Sequence, residues 1–253
     1  MLQQTQVARV LPEYEAFLVR FPTAADCAAA PASEVIRHWA GLGYNRRAIN
    51  LHRCAQQVVA EHDGSLPDDL EALVALPGIG PYTARAVLAF AYERDVGVLD
   101  TNAARVHARR AGRPLKPKEA QQLADAAVPE GRGWAWNQAM LDLGATVCRA
   151  RAAACGECPV VVGCAWFASG PDAADPAGGS AFVSGPQSTF VGSDRQGRGR
   201  LVHALRQGPV PLARVAEVAG WPDDGPRADQ VVRGLVHDGL AEVAGQDLRL
   251  PGG

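Results

Sequence analysis

Apolar residues recur at three- and four-residue intervals along most of the first 143 positions, which is the pattern of helices that bury one face. This spacing is found in Val7–Leu18, in parts of residues 33–61, in Ala84–Ala91 and in residues 105–143. Thr5 precedes the first of these segments and is a residue type that favours the N-cap of a helix. The pattern predicts an all-α fold for this part of the chain.

A tight glycine turn separates two of the predicted helices. Gly78 and Gly80 flank Ile79, and Pro81 is well suited to the first position of the next helix. The spacing in Asp68–Glu71 predicts a capping box for the helix before the turn. Backbone N–H groups in such a hairpin can bind a phosphodiester, so the unit predicts DNA binding, with a plain turn between two helices as the alternative.

A second glycine-containing turn, GLGYNRRA, covers residues 41–48. Gly41 and Gly43 flank Leu42, and Tyr44 and two arginines follow. This combination suits a loop that places an apolar or aromatic side chain in DNA next to a displaced base. The alternative is an ordinary turn between helices in which Tyr44 is half-buried.

Four of the six cysteines fall close together with the spacing C-x6-C-x2-C-x5-C, at Cys148, Cys155, Cys158 and Cys164. Thiolates this close in sequence hold zinc or an iron–sulfur cluster. A structural zinc site usually has two C-x2-C pairs separated by a longer loop, whereas this segment has one pair, so the spacing favours a cluster over zinc. The other two cysteines lie in helical segments and are expected to be buried thiols.

The net charge of −2 over 253 residues does not by itself indicate nucleic-acid binding. Arginines nonetheless cluster at 46–47, 105–113 and 195–200, where each cluster could meet phosphate or face solvent. The N-terminal residues lack the charged start and apolar core of a signal peptide. No apolar run reaches the roughly 20 residues of a membrane span. We therefore expect a cytoplasmic protein without a membrane partner.

The chain changes character after the cysteines. Residues 169–195 are rich in glycine, proline, serine and aspartate, as in a flexible linker. The remaining sequence predicts three short helices and then a small hairpin in GLAEVAGQDLRLPG. This order resembles a winged-helix module at residues 196–253, which either binds DNA or packs as a tail.

The hairpin, the acidic residue beyond it and the cysteine spacing together resemble the helix-hairpin-helix DNA glycosylases, and more narrowly the adenine DNA glycosylases of the MutY type. Leu76–Gly80 matches the hairpin of that family, and Asp100 in VLDTN matches its catalytic aspartate. The cysteines match the [4Fe–4S] cluster loop of endonuclease III and MutY-type proteins. The opening MLQQTQV and the loop GLGYNRRA also match, so the resemblance covers residues 1–168.

This resemblance implies a monofunctional, monomeric base excision repair enzyme that releases adenine mispaired with 8-oxoguanine or guanine in double-stranded DNA. The adenine is flipped into a pocket, an acid protonates its ring, and a carboxylate opposes the positive charge that develops on the sugar. Asp100 is the implied carboxylate, and Asn102 would orient it or bind the DNA backbone. The alternative role of Asp100 is to cap the following helix.

The resemblance also implies DNA contacts in three short segments, at Gln4, Thr5, Leu42, Gly43, Tyr44, Gly78, Ile79 and Gly80. In MutY-type proteins the first two segments contact the strand that carries the damaged guanine. Larger relatives recognise 8-oxoguanine with a Nudix-like C-terminal domain, and no segment of this sequence is long enough to be one.

Tyr82 occupies the position at which endonuclease III-like enzymes have a lysine that forms a Schiff base and cuts the strand. The only lysines of this chain are Lys116 and Lys118, which lie together in a polar turn. An activated lysine nucleophile is therefore not expected, and an endonuclease III-like function is the less favoured alternative.

In MutY-type proteins a catalytic glutamate lies just upstream of the segment that matches MLQQTQV, and here that segment begins at Met1. We expect either an active glycosylase whose start lies further upstream or a catalytically inactive protein that binds mismatched DNA. The chain is therefore expected to contain a truncated six-helix domain with the helix-hairpin-helix at 1–93, a helical iron–sulfur cluster domain at 94–168, the linker at 169–195 and the winged-helix-like tail at 196–253.

Overall fold

The computed structural model describes residues 1–183 and 189–252, which form two compact units. The first unit contains residues 1–67, 76–78 and the described C-terminal residues, and the second contains residues 68–75 and those from 79 to 183. This division differs from the predicted boundary at residue 93. Residues 68–75 and 79–93 belong with the helices that follow them, and the C-terminal residues share a core with the N-terminal helices.

The first unit combines helices from both ends of the chain with a small sheet. Its helices are α1 Val7–Arg20, α2 Ala24–Ala29, α3 Ala32–Arg37, α4 Arg46–Glu61, α11 Asp194–Gln207, α12 Val215–Ala219 and α13 Gly225–His237. The strands β1 Val210–Pro211, β2 Glu242–Ala244 and β3 Asp247–Arg249 pair antiparallel in the order β1-β3-β2. The predicted three helices and hairpin are thus confirmed. We refer to residues 194–249 as the C-terminal module.

One hydrophobic core serves both ends of the chain within the first unit. Val35, Ile36 and Trp39 of the N-terminal half are buried in the same cluster as Leu205 and Leu248 of the C-terminal module. The sequence suggested a separate tail, but the module shares its core with the N-terminal half and is not independent of it. Burial of this shared apolar surface is the main term that stabilises the unit.

The described residues of the second unit form helices joined by turns and loops, with no strand among them. Its helices are α5 Leu70–Ala75, α6 Pro81–Phe90, α7 Thr101–Ala111, α8 Pro117–Ala127, α9 Gly133–Asp142 and α10 Ala165–Ala168. The helix α9 ends at Asp142, close to the end of the predicted helical pattern at residue 143, and the chain continues into a π-helical turn at Leu143–Val147. Among the described residues of the whole chain, no helix is long and apolar enough to cross a membrane.

The helix before the hairpin is capped one residue later than predicted. The Oδ1 of Asp69 accepts a hydrogen bond from the backbone N–H of Ala72 at 2.9 Å, and α5 begins directly after it. Asp68 instead forms an ion pair with Arg94 at 2.6 Å. Two adjacent aspartates offer the same chemistry, so the sequence identified the cap type but not which residue provides it.

Part of the segment predicted to be a flexible linker is packed against the second unit. Ala177 is buried in a short 3₁₀ turn, and Asp175 forms an ion pair with Arg109 at 2.6 Å. The backbone N–H of Leu115 donates to the hydroxyl of Ser180 at 3.0 Å. The linker prediction therefore fails for these residues, and residues in the middle of the predicted linker lie outside the described part of the chain.

Candidate functional site

Asp100 lies at the start of α7, where three hydrogen bonds hold its carboxylate. Its Oδ1 accepts from the backbone N–H groups of Asn102 and Ala103 at 2.8 and 2.7 Å. Its Oδ2 accepts from the side-chain amide of Asn102 at 2.9 Å. Asp100 is therefore a helix N-cap, and the same contacts fix a carboxylate at the positive end of the helix. Two carboxylate oxygens offer about four acceptor sites, so capping leaves the group able to meet a further charge.

A continuous set of hydrogen bonds leads from Asp100 to the first cysteine of the motif. The Oδ1 of Asn102 accepts from Nη2 of Arg105 at 2.9 Å. The same guanidinium donates through Nε to the carbonyl of Cys148 at 2.8 Å and through Nη2 to the carbonyl of Gly144 at 2.6 Å. Arg105 is only 5% exposed, so it neither contacts phosphate nor faces solvent, which were the two roles expected for this arginine cluster.

Tyr82 lies in the first turn of α6, directly after the hairpin, and is partly exposed. Burial and, to a lesser degree, the negative charge of Asp100 raise the pKa of the Tyr82 phenol above its usual value. The hydroxyl therefore stays protonated at neutral pH and is a hydrogen-bond donor near the carboxylate.

The hairpin has the backbone geometry that its glycines predicted. Gly78 has a φ of 77°, and a Cβ placed there would lie 2.6 Å from the Cβ of Asn50 in α4. Gly80 is the N-cap of α6, and space is open around it. Both glycines are exposed, whereas Ile79 is partly buried. The turn thus presents backbone rather than side chains, as a phosphate-binding hairpin requires.

In the first unit, Arg47 joins the two other predicted DNA-contacting segments, the opening segment (residues 1–5) and the glycine loop (residues 41–44). Its Nη1 donates to the carbonyls of Met1, at 2.8 Å, and of Gln3. Its Nη2 donates to the hydroxyl of Thr5 at 2.8 Å and to the carbonyls of Leu42 and Gly43 at 2.9 and 3.2 Å, respectively. One guanidinium therefore holds both segments.

Thr5 is not the N-cap that its position suggested. Helix α1 begins after Gln6 without a side-chain cap, and the Thr5 hydroxyl donates to the carbonyl of Leu42 at 3.1 Å. This bond adds a second link between the opening segment and the glycine loop. In the sequence, Arg47 is only one of two adjacent arginines that could meet phosphate. Its role as a donor to both segments has no signal there.

Both segments contain a non-glycine residue in the left-handed region, Gln4 with a φ of 58° and Tyr44 with a φ of 44°. Such conformations cost of order 1–3 kcal/mol and cluster at functional sites. Tyr44 is 42% exposed, whereas Leu42 is 1% exposed with its side chain in the core. Of the two predicted wedge residues, Tyr44 presents its side chain to the surface, whereas Leu42 is buried and its carbonyl accepts from Thr5 and Arg47.

The four cysteines of the motif line one apolar cavity in the second unit, together with Val147, Val161 and Phe167. Burial, and then the charges of the other three cysteines, raise the pKa of the Cys155 thiol above its usual value. Among the described residues, no three His, Cys, Asp or Glu side chains are close enough to share a single metal ion. The thiols thus face one space without converging on one point.

Arg109 connects this cavity to α7. Its Nη1 donates to the Sγ of Cys148 at 3.3 Å, and the Sγ of Cys164 donates to the backbone carbonyl of Arg109 at 3.5 Å. The guanidinium lies 4.5 Å from the ring centroid of Trp166, and Asp175 pairs with it at 2.6 Å. The side chain is 2% exposed, so it provides a buried positive charge beside the cysteines.

Comparison with known proteins assigns this arrangement to a family. The family described as HhH-GPD superfamily base excision DNA repair protein matches residues 1–130. The adenine DNA glycosylase of Mycolicibacterium smegmatis is 41% identical over 96% of this chain and 81% of its own length. That of Mycobacterium tuberculosis is 40% identical over 95% and 79%, respectively. The human protein of the same name is 42% identical over 63% of this chain but only 31% of its own length.

Solved structures show the same relationship at the level of the fold. A thermostable thymine-DNA glycosylase aligns with a TM-score of 0.63 and 29% identity, over 66% of this chain and 80% of that chain. Endonuclease III in a trapped covalent complex with DNA aligns with a TM-score of 0.59 at 23% identity, over 66% and 79%. The chain is thus a member of the HhH-GPD superfamily of base excision repair glycosylases and, within it, of the adenine DNA glycosylase family of the MutY type.

Proposed function

We propose that this protein hydrolyses the N-glycosidic bond of adenine mispaired with 8-oxoguanine or guanine, after flipping the adenine out of the duplex. The observation that carries this proposal is the carboxylate of Asp100, which three N–H groups hold at the start of α7. The names of the relatives support adenine as the base that is released. The resemblance of residues 1–5 and 41–44 to MutY-type proteins supports 8-oxoguanine as the opposing lesion.

Cleavage of this bond leaves positive charge on the deoxyribose and negative charge on the departing base. Asp100 stabilises the oxocarbenium-like sugar electrostatically, and its fixed position means that little reorganisation is needed when the charge develops. Adenine leaves as a neutral base after it gains a proton, and water provides the hydroxyl that attaches to the sugar carbon. Asn102 acts as a positioning residue, since it both donates to Asp100 and accepts from Arg105.

A monofunctional reaction is supported by the residue types near Asp100. Tyr82, with its raised pKa, stands where a Schiff-base enzyme needs an amine. The lysines of the chain, Lys116 and Lys118, are both exposed and lie at the start of α8, not in α6 or α7. The enzyme therefore releases the base and leaves the strand intact.

Recognition of the opposing strand is assigned to the opening segment and the glycine loop. Tyr44 presents its ring at the surface, and Arg47 fixes the backbone carbonyls of Leu42 and Gly43 directly before it. A preorganised aromatic side chain of this kind fills the space left by the flipped adenine. The hairpin at Gly78–Gly80 binds the phosphodiester backbone through its exposed N–H groups.

The four cysteines fit a [4Fe–4S] cluster better than zinc. A zinc ion would draw four sulfurs to about 2.3 Å from one centre, whereas the irons of a cluster bind one thiolate each and keep the sulfurs further apart. The apolar lining of the cavity, and the donor that Arg109 provides to Cys148, suit an anionic cluster held away from water. Such a cluster, when bound, supplies a redox-active centre and a cross-link between the cysteines.

The cluster assignment is tested on the purified protein by iron and zinc analysis and by visible absorbance. We expect four iron atoms per chain and the broad absorbance of an iron–sulfur centre, both lost in Cys158→Ser. The matched control is Cys54→Ser, a buried thiol of the first unit, which should leave iron content unchanged. One zinc per chain without visible absorbance would contradict the cluster assignment and indicate a zinc site.

The activity is tested by single-turnover release of adenine from a duplex with one adenine opposite 8-oxoguanine. The chain is compared with a version extended at its N-terminus by a segment that carries the acid implied by the resemblance. Adenine release by either form, without strand cleavage until alkali is added, supports the proposal. Binding of the mismatch without release by both forms indicates a catalytically inactive DNA-binding protein, and strand cleavage on an oxidised pyrimidine indicates an endonuclease III-like enzyme.

A further inference from the structure

We propose that Arg206, in the C-terminal module, is a positioning residue that sets the glycine loop for recognition of the strand opposite adenine. The residue lies in the last turn of α11, far along the chain from the loop. Its Nε donates to the backbone carbonyl of Ile36 at 3.0 Å, and its Nη2 donates to the side-chain carbonyl of Asn45 at 2.9 Å. This inference rests on the function proposed above for the loop.

The two acceptors of Arg206 lie on either side of the loop. Ile36 is in the last turn of α3, and its carbonyl accepts from the backbone N–H of Trp39 at 3.3 Å as well as from Arg206. Asn45 occupies the N-cap position of α4, and its residue type normally accepts from the N–H groups of its own helix. Here its side chain makes no capping hydrogen bond and is used by Arg206 instead. One guanidinium therefore fixes the distance between the end of α3 and the start of α4.

The segment between these two anchors needs external support. Gly41, Gly43 and Tyr44 all have positive φ, at 79°, 68° and 44°. A left-handed conformation at a tyrosine costs roughly 1–2 kcal/mol, so the loop would relax if its ends could move. Arg47 holds the middle of the loop from within the same helix, but it does not fix α3 relative to α4. The helices α3 and α4 also pack in one core, and the Arg47 guanidinium lies 5.3 Å from the centroid of the Trp39 ring. To this packing Arg206 adds one hydrogen bond at each end of the loop.

The C-terminal module thereby acquires a role that neither of its two expected functions included. It need not touch DNA itself, and it is more than a tail. The charged residues of α13, the helix that a winged-helix module would place in DNA, are Arg227, Asp229 and Arg233. Arg227 is paired with Asp194, so the helix offers one unpaired arginine beside one exposed aspartate and no strong positive face. The module instead supports a DNA-contacting loop from behind, through Arg206.

The test compares Arg206→Gln with Arg227→Gln and with the conservative variant Arg206→Lys. Arg227 is a matched control because its contacts, an ion pair with Asp194 at 2.7 Å, a hydrogen bond to the carbonyl of Gly192 and a stacked ring at Trp221, all lie within or beside the module. Two measurements are made on each protein: hydrogen exchange of the free protein, and binding to duplexes with an abasic-site analogue opposite 8-oxoguanine or guanine.

We expect Arg206→Gln to speed exchange in residues 38–47 and to lower the preference for 8-oxoguanine over guanine by roughly tenfold, within the range of such long-range couplings. Arg206→Lys should restore part of the preference, and Arg227→Gln should leave it unchanged. Since binding to an abasic analogue requires no catalysis, loss of adenine release in the wild type would contradict the proposed function alone. Unchanged exchange in the loop, or an equal loss of preference in Arg227→Gln, would overturn the role of Arg206.

A double-mutant cycle identifies the path of the effect. If Arg206 acts through Asn45, then Asn45→Ala and Arg206→Gln should each lower the 8-oxoguanine preference, and the double variant should lose little more than either one. Additive losses would mean that Arg206 does not act through Asn45, which would overturn the proposal that its guanidinium ties the two ends of the loop together.

Discussion

Asp100 combines two tasks that can be separated by substitution. As an N-cap it stabilises α7, and as a charged carboxylate it would stabilise the sugar cation. Asparagine caps a helix about as well as aspartate but carries no charge. We expect Asp100→Asn to lower the single-turnover rate of adenine release by at least roughly a hundredfold. The free energy of unfolding should change by less than about 1 kcal/mol.

The matched control for this substitution is Asp69→Asn at the cap of α5, since Asp69 also accepts a backbone N–H at its helix start. This variant should keep both rate and stability. Urea unfolding and quenched single-turnover assays on the two variants provide the comparison. A large loss of stability in Asp100→Asn would mean that the carboxylate is mainly structural.

His107, on α7, gives a prediction for pH. Burial and the positive charge of Arg110 lower the pKa of this imidazole from 6.5 to about 4. In the unfolded chain the imidazole gains its proton near pH 6.5, whereas in the folded chain it stays neutral until about pH 4. The unfolded state binds more protons between these values, so stability falls as the pH falls through this window, by up to about 3 kcal/mol.

His107→Gln removes this contribution and serves as the measurement. We expect the free energy of unfolding of the wild type to fall more steeply than that of the variant between neutral pH and the middle of the window. The two curves should run parallel above pH 6.5, where neither state of the wild type is protonated at this residue. Parallel curves throughout would show that the imidazole is not shielded from protonation.

At the scale of residues, the sequence was informative where chemistry is local and silent where it depends on burial. Asp100 and the grouped cysteines are recognisable because capping and metal ligation need particular residue types at short spacings. Arg46 and Arg47 show the opposite case. Arg46 is 67% exposed and lies 3.6 Å from Asp238, while its neighbour is turned inward and holds five oxygen acceptors. The sequence shows two adjacent arginines and does not indicate which of them is exposed and which is buried.

At the scale of elements, the approach of the π-helical turn to α7 depends on Gly144. A Cβ on this residue would lie 2.7 Å from both the Cβ and the carbonyl oxygen of Asn102. Gly144→Ala must therefore push the turn away from the residue that orients Asp100. We expect a loss of about 1–3 kcal/mol in the free energy of unfolding, as for other overpacked sites. The rate of adenine release should fall as well, because the carboxylate is displaced.

Gly199→Ala is the control for this prediction. Gly199 lies within α11, and no atom lies within 4 Å of the position of its Cβ. This substitution should raise the free energy of unfolding by about 0.5–1 kcal/mol, because alanine loses less backbone entropy than glycine in a helix. Thermal unfolding and single-turnover assays distinguish the two variants. Equal behaviour of both would mean that the close contact at Gly144 relaxes without cost.

The elements themselves were largely predictable, and their ends were not. Helical periodicity located the helices on both sides of the hairpin because their buried faces follow the 3.6-residue repeat. The sequence does not predict the π-helical turn that follows α9, since such a turn has no local residue signature. A hydrogen bond from Arg105 to the carbonyl of Gly144 stabilises it.

At the scale of the whole molecule, composition favoured a separate tail because a glycine- and proline-rich segment precedes it. What composition cannot show is which apolar faces bury each other, and the C-terminal helices bury theirs against the N-terminal ones. The family resemblance extended over residues 1–168 and therefore carried no information about this packing. The first unit is consequently a single core built from the two ends of the chain.

A shared core predicts shared unfolding. Leu205 of α11 is 2% exposed within the core cluster that also contains Val35 and Trp39. We expect Leu205→Ala to lower the free energy of unfolding by about 2–5 kcal/mol, as large-to-small core substitutions do. Because the core is common, native-state hydrogen exchange should speed up in residues 33–61 as much as in the C-terminal module. Val243→Ala in β2 is the control, since Val243 is 51% exposed and should change neither region. Faster exchange confined to the module would instead show that the two ends unfold independently, and the support that Arg206 gives the glycine loop would then be lost whenever the module opens.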